Sequence, residues 1–443
     1  MKRAAIAIGV LLVLAIGGAG VAYWLASRDP EDIRGSSTDE FVVTQEPAAK
    51  KRTKKAVANT PWPLYGYNPA RTRVAPEFSL RPPYRKIWAR RLGNIVEFPP
   101  VVAYDGLYVA QWRGRLFKFR ARDGKILWRK HFHRCSAASP AVGHRTLYVA
   151  LMMPYPCRRN PRSQSGLIVA MHVVGGRELW RFGKVGVVES SPLLVGKTLY
   201  FGSWDHKLYA LSVKGKRPRV KWTFRADDEL NSSPAYADGK IFIASNGGSV
   251  YALDAGTGRL RWRATSFSHF PRGREYFYAT VAVAYGRVYA SNTDGTVYAY
   301  GARTGRLLWA RHVGTYVYTA PAVWRKRVFV GTYDGRIYAL DAATGDVRWR
   351  ATAEAAVHGA PSVVEGVVYF STCARCGQRG SRGAKAGPRT TFGLDARTGR
   401  RVWRFPDGEY SPLVADRDRA YVVGRTRIYA FEPRGRRSRR ASK

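Results

Sequence analysis

Acidic residues are scarce in this 443-residue chain: 31 Asp plus Glu stand against 75 Lys plus Arg, a formal net charge of +44. That imbalance carries no fold information, but it predicts attraction to polyanions such as nucleic acid, anionic lipid head groups or wall polymers. The alternative is an Arg-rich composition spread over solvated faces. Cysteine is scarcer still, with only Cys135, Cys157, Cys373 and Cys376. Four in a chain of this length exclude a disulfide-dense miniature scaffold, and with the first at Cys135 there is no lipobox cysteine for an N-terminal lipid anchor. The chain also lacks a phosphate-binding glycine loop, a nucleophile elbow and an H-E-x-x-H pair, which removes the enzyme classes built on them. Its eight His are scattered.

What is present is apolar. Hydrophobic residues make up 45% and aromatics 13%, enough for a large core and too much for global disorder. Ala4 to Ser27 carries no charged side chain, long enough as a helix to span a hydrocarbon core of about 30 Å. Lys2 and Arg3 precede it, and a net-negative flank follows, so the positive-inside rule places the N-terminus in the cytoplasm and the rest outside. The expectation is a single-pass cell-membrane protein with an uncleaved signal anchor over residues 1–27, the rival being a cleaved signal peptide with its shorter apolar region. Residues 28–60, with "GSST", "EPAAK" and "KKRTKK", read as a basic flexible linker, and 434–443 as a basic disordered tail.

Between these lies a repeat. "VYALDAGTGRLRW" (Val250 to Trp262) returns as "IYALDAATGDVRW" (Ile337 to Trp349), and related phrases end at Trp128, Trp180, Trp222, Trp309 and Trp403. Each is accompanied by a Ser-Pro or Ala-Pro and a short apolar run, marked by Pro100, Pro140, Pro192, Pro234, Pro321, Pro361 and Pro412, with Val281 in the same slot. Eight copies at about 40 residues point to a propeller or solenoid. Each period reads as four strands joined by Asp-Gly and Thr-Gly hairpin turns, with no segment of helical period. The last copy, "IYAFEPRGRR", stops before a Trp, whereas Trp88 in "YRKIWARR" precedes the first complete blade. The economical solution is that this early segment supplies the outer strand of the last blade, leaving no open edge between the ends of the chain. The predicted fold is all-β: one monomeric eight-bladed propeller over 61–433, with the eight blade Trp residues as structural packing elements.

The pattern "GSxDGxLYALDAxTGxxxW" resembles the repeats of the pyrroloquinoline-quinone-type propellers, and "WPLYGYNPARTR" (Trp62 to Arg73) is similar to the segment that leads into them. The resemblance implies one of two branches. Quinoprotein dehydrogenases hold a planar quinone and Ca²⁺ in the funnel; their alcohol-oxidising members carry adjacent cysteines, absent here, and are longer. The BamB-like branch is non-enzymatic and binds proteins. The BamB-like reading implies an extracytoplasmic scaffold or assembly platform for envelope or membrane proteins, with no cofactor expected. The alternatives are a quinone- or Ca-dependent oxidoreductase and a basic surface protein on wall polymers or anionic lipid. The exported location argues against nucleic acid as the partner.

Candidate site residues follow from the repeat. The residue three before each marker should sit at the mouth of the innermost strand: Glu97, Ala137, Glu189, Asn231, Tyr278, Tyr318, His358 and Glu409. Three carboxylates, an amide and an imidazole in one ring could hold a hard cation, or could simply be solvated mouth residues. Trp112, Trp204 and Tyr333, in turns between second and third strands, either present exposed aromatics to a partner or pack on neighbouring blades. An exported, even set of cysteines favours disulfides. Cys135 with Cys157 is geometrically reasonable, because both loops leave one face of blade two, and Cys373-x-x-Cys376 suits a local staple.

Overall fold

Each blade is built on one unit, the outer hairpin. In blade four the third strand ends at Asp254, whose Oδ1 accepts hydrogen bonds from Gly256 N, Thr257 N and Thr257 Oγ1 at 2.9–3.1 Å. This Asx-type cap closes the turn. Gly258 completes it at φ +75, in the left-handed region. A Cβ there would lie 2.6 Å from the Trp222 ring of the preceding blade. The glycine is therefore required twice, by the turn and by the indole lying against it. Asp395 and Gly399 repeat the arrangement over Trp349.

The same contact recurs between blades. Indole Nε1 donates to the residue that opens the next blade's outer turn: Trp88 to Ala121 O (3.0 Å), Trp128 to Val174 O (2.8 Å), Trp262 to Ala302 O (3.2 Å) and Trp309 to Ala342 O (3.1 Å). Within each of the eight blades the Tyr or Phe of the second strand lies 5.7–6.0 Å, centroid to centroid, from that blade's Trp. A bulge next to the Trp position in most blades adds local twist.

The architecture follows in a computed structural model that describes residues 32–43, 59–157, 165–266, 276–376 and 383–435. Eight antiparallel sheets form eight blades. Blade one, for example, runs Val101–Ala103, Gly106–Ala110, Arg115–Arg120 and Ile126–His131. Blade eight takes three strands from the chain end, Val414–Ala415, Ala420–Val423 and Arg427–Pro433. Its outer strand is Tyr84–Arg91, in register with Lys86 opposite Phe431 and Trp88 opposite Ala430. The expected closure through "YRKIWARR" is present.

Three features differ from the sequence reading or extend it. First, Val74–Ala75 adds a parallel fifth strand to blade seven, pairing with Val363 and Val364. Second, the segment before it encircles the channel. Main-chain oxygens of Pro63, Pro69, Ala70, Thr72 and Arg73 accept from Val142, Tyr236, Val283, Val323 and Val363 on innermost strands of five blades. The Arg71 guanidinium is fully buried, donating to Pro234 O (2.9 Å), Ser191 O (3.1 Å), Pro192 O (3.3 Å) and Tyr65 O. Third, part of the expected linker is docked. Ile33 bridges to Ala310, Val42 N donates to Tyr285 O, and Asp32, Arg34 and Asp39 pair with Arg311, Asp346 and Arg306. A flexible tether cannot place apolar and acidic groups so regularly against two blades; residues 32–43 form a strap. The anchor segment 4–27, the run "KKRTKK" and residues 436–443 lie outside the described residues. Among the described residues no helix is long and apolar enough to cross a membrane.

Both disulfides are present, Cys135–Cys157 and Cys373–Cys376, with Cα separations of 5.8 and 5.5 Å.

Trp309 is fully buried. Trp309→Ala should destabilise the propeller by about 3–5 kcal/mol, the cost of an aromatic cavity. Val347→Ala, at a surface position on the next blade, should stay within about 0.5 kcal/mol. Chemical denaturation followed by tryptophan fluorescence checks both.

Candidate functional site

The loops that enter the innermost strands converge on one end of the channel. A belt of hydroxyls spaces them. Ser139 N donates to Ser191 Oγ (3.0 Å), Ser191 N to Ser233 Oγ (2.9 Å) and Ser233 N to Thr280 Oγ1 (3.0 Å). Each link joins the residue before one marker to its equivalent in the next blade. Two residues earlier, the chain presents its variable side chains at fixed intervals.

These side chains meet. Asn231 Nδ2 donates to Glu189 Oε2 at 3.0 Å, the Tyr278 hydroxyl donates to Glu189 Oε1, and Asn246 Nδ2 donates to Asn231 Oδ1 at 3.1 Å. The Tyr278 ring stacks on Tyr318 (4.7 Å), and Tyr318 stacks on His358 (4.5 Å). Tyr333 Oη and His358 Nδ1 are hydrogen-bonded at 2.7 Å, and Tyr410 meets the imidazole edge-to-face at 5.3 Å. Blades three to eight thus share one continuous polar-aromatic wall.

Glu97, from the loop entering blade one, faces this wall. No described group hydrogen-bonds to its carboxyl. Burial, reinforced by the Glu189 charge, raises its pKa to about 8. Burial alone pulls His358 down to about 3, so the imidazole is neutral at physiological pH. Burial first, then the Glu189 and Glu97 carboxylates, hold the Tyr278 phenol well above its usual range. The wall is therefore π-rich with a neutral imidazole and the Glu189 carboxylate, and Glu97 ionises near pH 8.

Of the expected ring, Glu97, Glu189, Asn231, Tyr278, Tyr318 and His358 come together, and Ala137 is buried without a polar group to offer. Glu409 does not join in the way its position suggested. It is buried, and the charges that act on it most are those of Arg389 and Arg425. Its neighbour Tyr410, at φ +63, takes the place against His358. Tyr333 also differs from the exposed-aromatic expectation: it is 5% exposed and belongs to the funnel wall. Trp112 and Trp204 are half-buried, packed on a cluster of Cys135, Met152, Met153 and Val187 with Phe98 alongside. The first disulfide fixes the platform beneath them.

Several wall residues were not anticipated. Tyr410 and Phe98 lie two residues before their markers, and Tyr316 stacks on Tyr333 at 4.9 Å. The available signal was local aromatic density, as in "GTYVYTAP". The floor was missed too. Arg73 is buried with its guanidinium 4.7 Å from the Tyr65 ring centre, and Tyr65 meets Phe98 at 5.4 Å.

A calcium-bound quinone would need several free convergent oxygens. Both Glu189 oxygens are engaged by Tyr278 and Asn231, Asn231 Oδ1 by Asn246, and no group of three His, Cys, Asp or Glu suited to a metal occurs among the described residues. This donor set does not fit that group.

The sequence model of the family described as "Outer membrane protein assembly factor BamB" matches residues 83–218, 218–316 and 293–439. Among curated relatives, a lanthanide-dependent methanol dehydrogenase of Methylacidiphilum fumariolicum is 35% identical over 101 residues, 20% of this chain and 16% of that one. The BamB of Burkholderia pseudomallei is 25% identical over 199 residues, 43% of this chain and 47% of that protein. The chain thus spans less than half the length of either. Among solved structures, BamB from Moraxella catarrhalis superposes with a TM-score of 0.63 at 14% identity, covering 79% of this chain and 99% of that one. A quinohemoprotein alcohol dehydrogenase from Comamonas testosteroni gives 0.68 at 12% identity, covering 88% and 83%. These structural likenesses speak for the fold alone.

Glu97 has a raised pKa in the folded state, so its contribution favours folding below about 4.5 and is lost as pH rises through about 8. Glu97→Gln should leave stability near wild type at pH 5 and exceed it by roughly 2–4 kcal/mol at pH 9. The effect of His358 is common to both proteins and cancels in the difference. Urea midpoints across that range supply the check.

Proposed function

The chain belongs to the family of the outer membrane protein assembly factor BamB, and from that premise we propose that it is a protein-binding scaffold of the cell envelope. In this reading residues 4–27 anchor it in the cell membrane and the propeller works outside the cytoplasm. Its partners are envelope or membrane proteins. The observation that carries the reading is the platform on the funnel side. Trp112 and Trp204 keep part of their rings open above a packed base that the Cys135–Cys157 bridge holds in place. Rigid, half-exposed aromatics over a fixed base are the kind of group that dominates protein interfaces, because they bury large area at little entropic cost.

The enzyme alternative receives less support from the residues present. The adjacent-cysteine pair is missing, and the oxygens that would hold a cation are engaged with one another.

Capture from detergent-solubilised envelope with the full-length chain as bait tests the scaffold. Wild type should retain a reproducible set of envelope proteins, and the double variant Trp112→Ala, Trp204→Ala should lose about tenfold or more of it. No partner above the bait-free control, or equal capture by the variant, would contradict the reading. A visible absorbance band appearing on addition of pyrroloquinoline quinone would favour the enzyme instead.

A further inference from the structure

We propose that the funnel is a receptor for an organic cation, a primary ammonium or guanidinium group seated between the tyrosine wall and Glu97. The inference rests on the protein-binding reading insofar as the cation would be carried on a Lys or Arg side chain of the partner; a free amine offers the same chemistry.

The funnel is the electrostatic exception in a protein of net charge +44. Its mouth gathers Glu97 and Glu189 with Tyr278, Tyr318, Tyr333 and Tyr410 and a neutral His358. Blade three contributes Glu189, blade four Asn231, blades five and six the stacked tyrosines, blade seven His358, and blade eight Tyr410 with the buried Glu409. Of the cations nearby, Arg73 lies over Tyr65, and Arg389 and Arg425 act on Glu409 and on Tyr410.

The two carboxylates differ in what they have left to offer. Glu189 is saturated by Tyr278 and Asn231. The Glu97 carboxyl has no described hydrogen-bond partner, while its main-chain oxygen, accepting from Ser411 Oγ at 3.0 Å, ties it to the loop that enters blade eight; its charge acts on the Tyr278, Tyr318, Tyr333 and Tyr410 phenols. A half-buried carboxylate without a counter-charge favours its protonated form until a cation arrives. Aromatic faces supply the remaining attraction. The overall positive charge opposes approach at long range. At physiological ionic strength that opposition is screened beyond about 8 Å, so the groups lining the funnel decide.

Binding at pH 7 then releases a proton. The Glu97 carboxylic acid and the ligand cation become a carboxylate–cation pair, and the proton passes to buffer. No other bond changes. Affinity should rise with pH through about 8, where Glu97 ionises without help.

Isothermal titration of the full chain with agmatine and with tetralysine tests this. Agmatine should bind with an apparent heat that differs between phosphate and Tris at pH 7, the mark of proton release. Affinity should rise roughly tenfold from pH 7 to pH 8.5. Glu97→Gln should weaken binding at least tenfold and abolish the buffer dependence. Glu365→Gln, at the other end of the channel, should bind as wild type does. Binding of both probes supports a partner-borne cation. Binding of agmatine alone supports the site and assigns it to free amines, whatever the envelope capture shows. Absence of heat with either probe at about 10 mM, or unchanged binding by Glu97→Gln, overturns the proposal. Partner capture by Trp112 and Trp204 would stand even then.

Discussion

At six of the eight junctions one indole holds a blade to the next. The fourth-strand Trp lies under the glycine of the following blade's outer turn and donates to the carbonyl that opens that turn. Neither partner is complete alone: the turn without the indole leaves a gap, and the indole without the glycine collides with a Cβ. A chain of such contacts has no natural end, so it must close on itself. Closure explains why an early strand, Tyr84–Arg91, is spent on the last blade. It also explains why the chain entering the ring stays at its centre, where Arg71 satisfies carbonyls just before the innermost strands of blades three and four. The channel is stoppered by the same segment that ties its innermost strands together.

This dependence made the fold legible in advance. Because the contact pairs a Trp with a Gly at fixed spacing, the sequence repeats them, and the unpaired Trp88 disclosed the closure. The strap was not legible. Residues 32–43 are held by Ile33, Val42 and scattered acids against Arg306 and Arg311, a set without periodicity in a composition typical of linkers. The channel segment was missed for a related reason. Tyr67, Arg71 and Arg73 adopt left-handed backbone that local sequence does not announce in non-glycine residues.

The funnel was legible as a list of positions but not as a site. Counting three residues back from each marker found Glu97, Glu189, Asn231, Tyr278, Tyr318 and His358, since the repeat fixes where the chain enters the channel. What those side chains do to one another depends on loop conformation. Glu409 turned toward arginines, and Tyr333 folded inward to His358. The result is a mouth whose chemistry opposes that of the whole molecule: aromatic and acidic where the surface is basic. A rigid ring can afford this, because the strain of gathering two carboxylates is opposed by contacts distributed over eight blades.

The ring closure is the claim on which the rest stands. Native-state hydrogen exchange of the amides in Tyr84–Arg91 tests it directly. Closure predicts that they exchange together with those of Arg427–Pro433, at the same slow rate as the other blades. Fast exchange of Tyr84–Arg91, with Arg427–Pro433 remaining protected, would contradict it and open the ring.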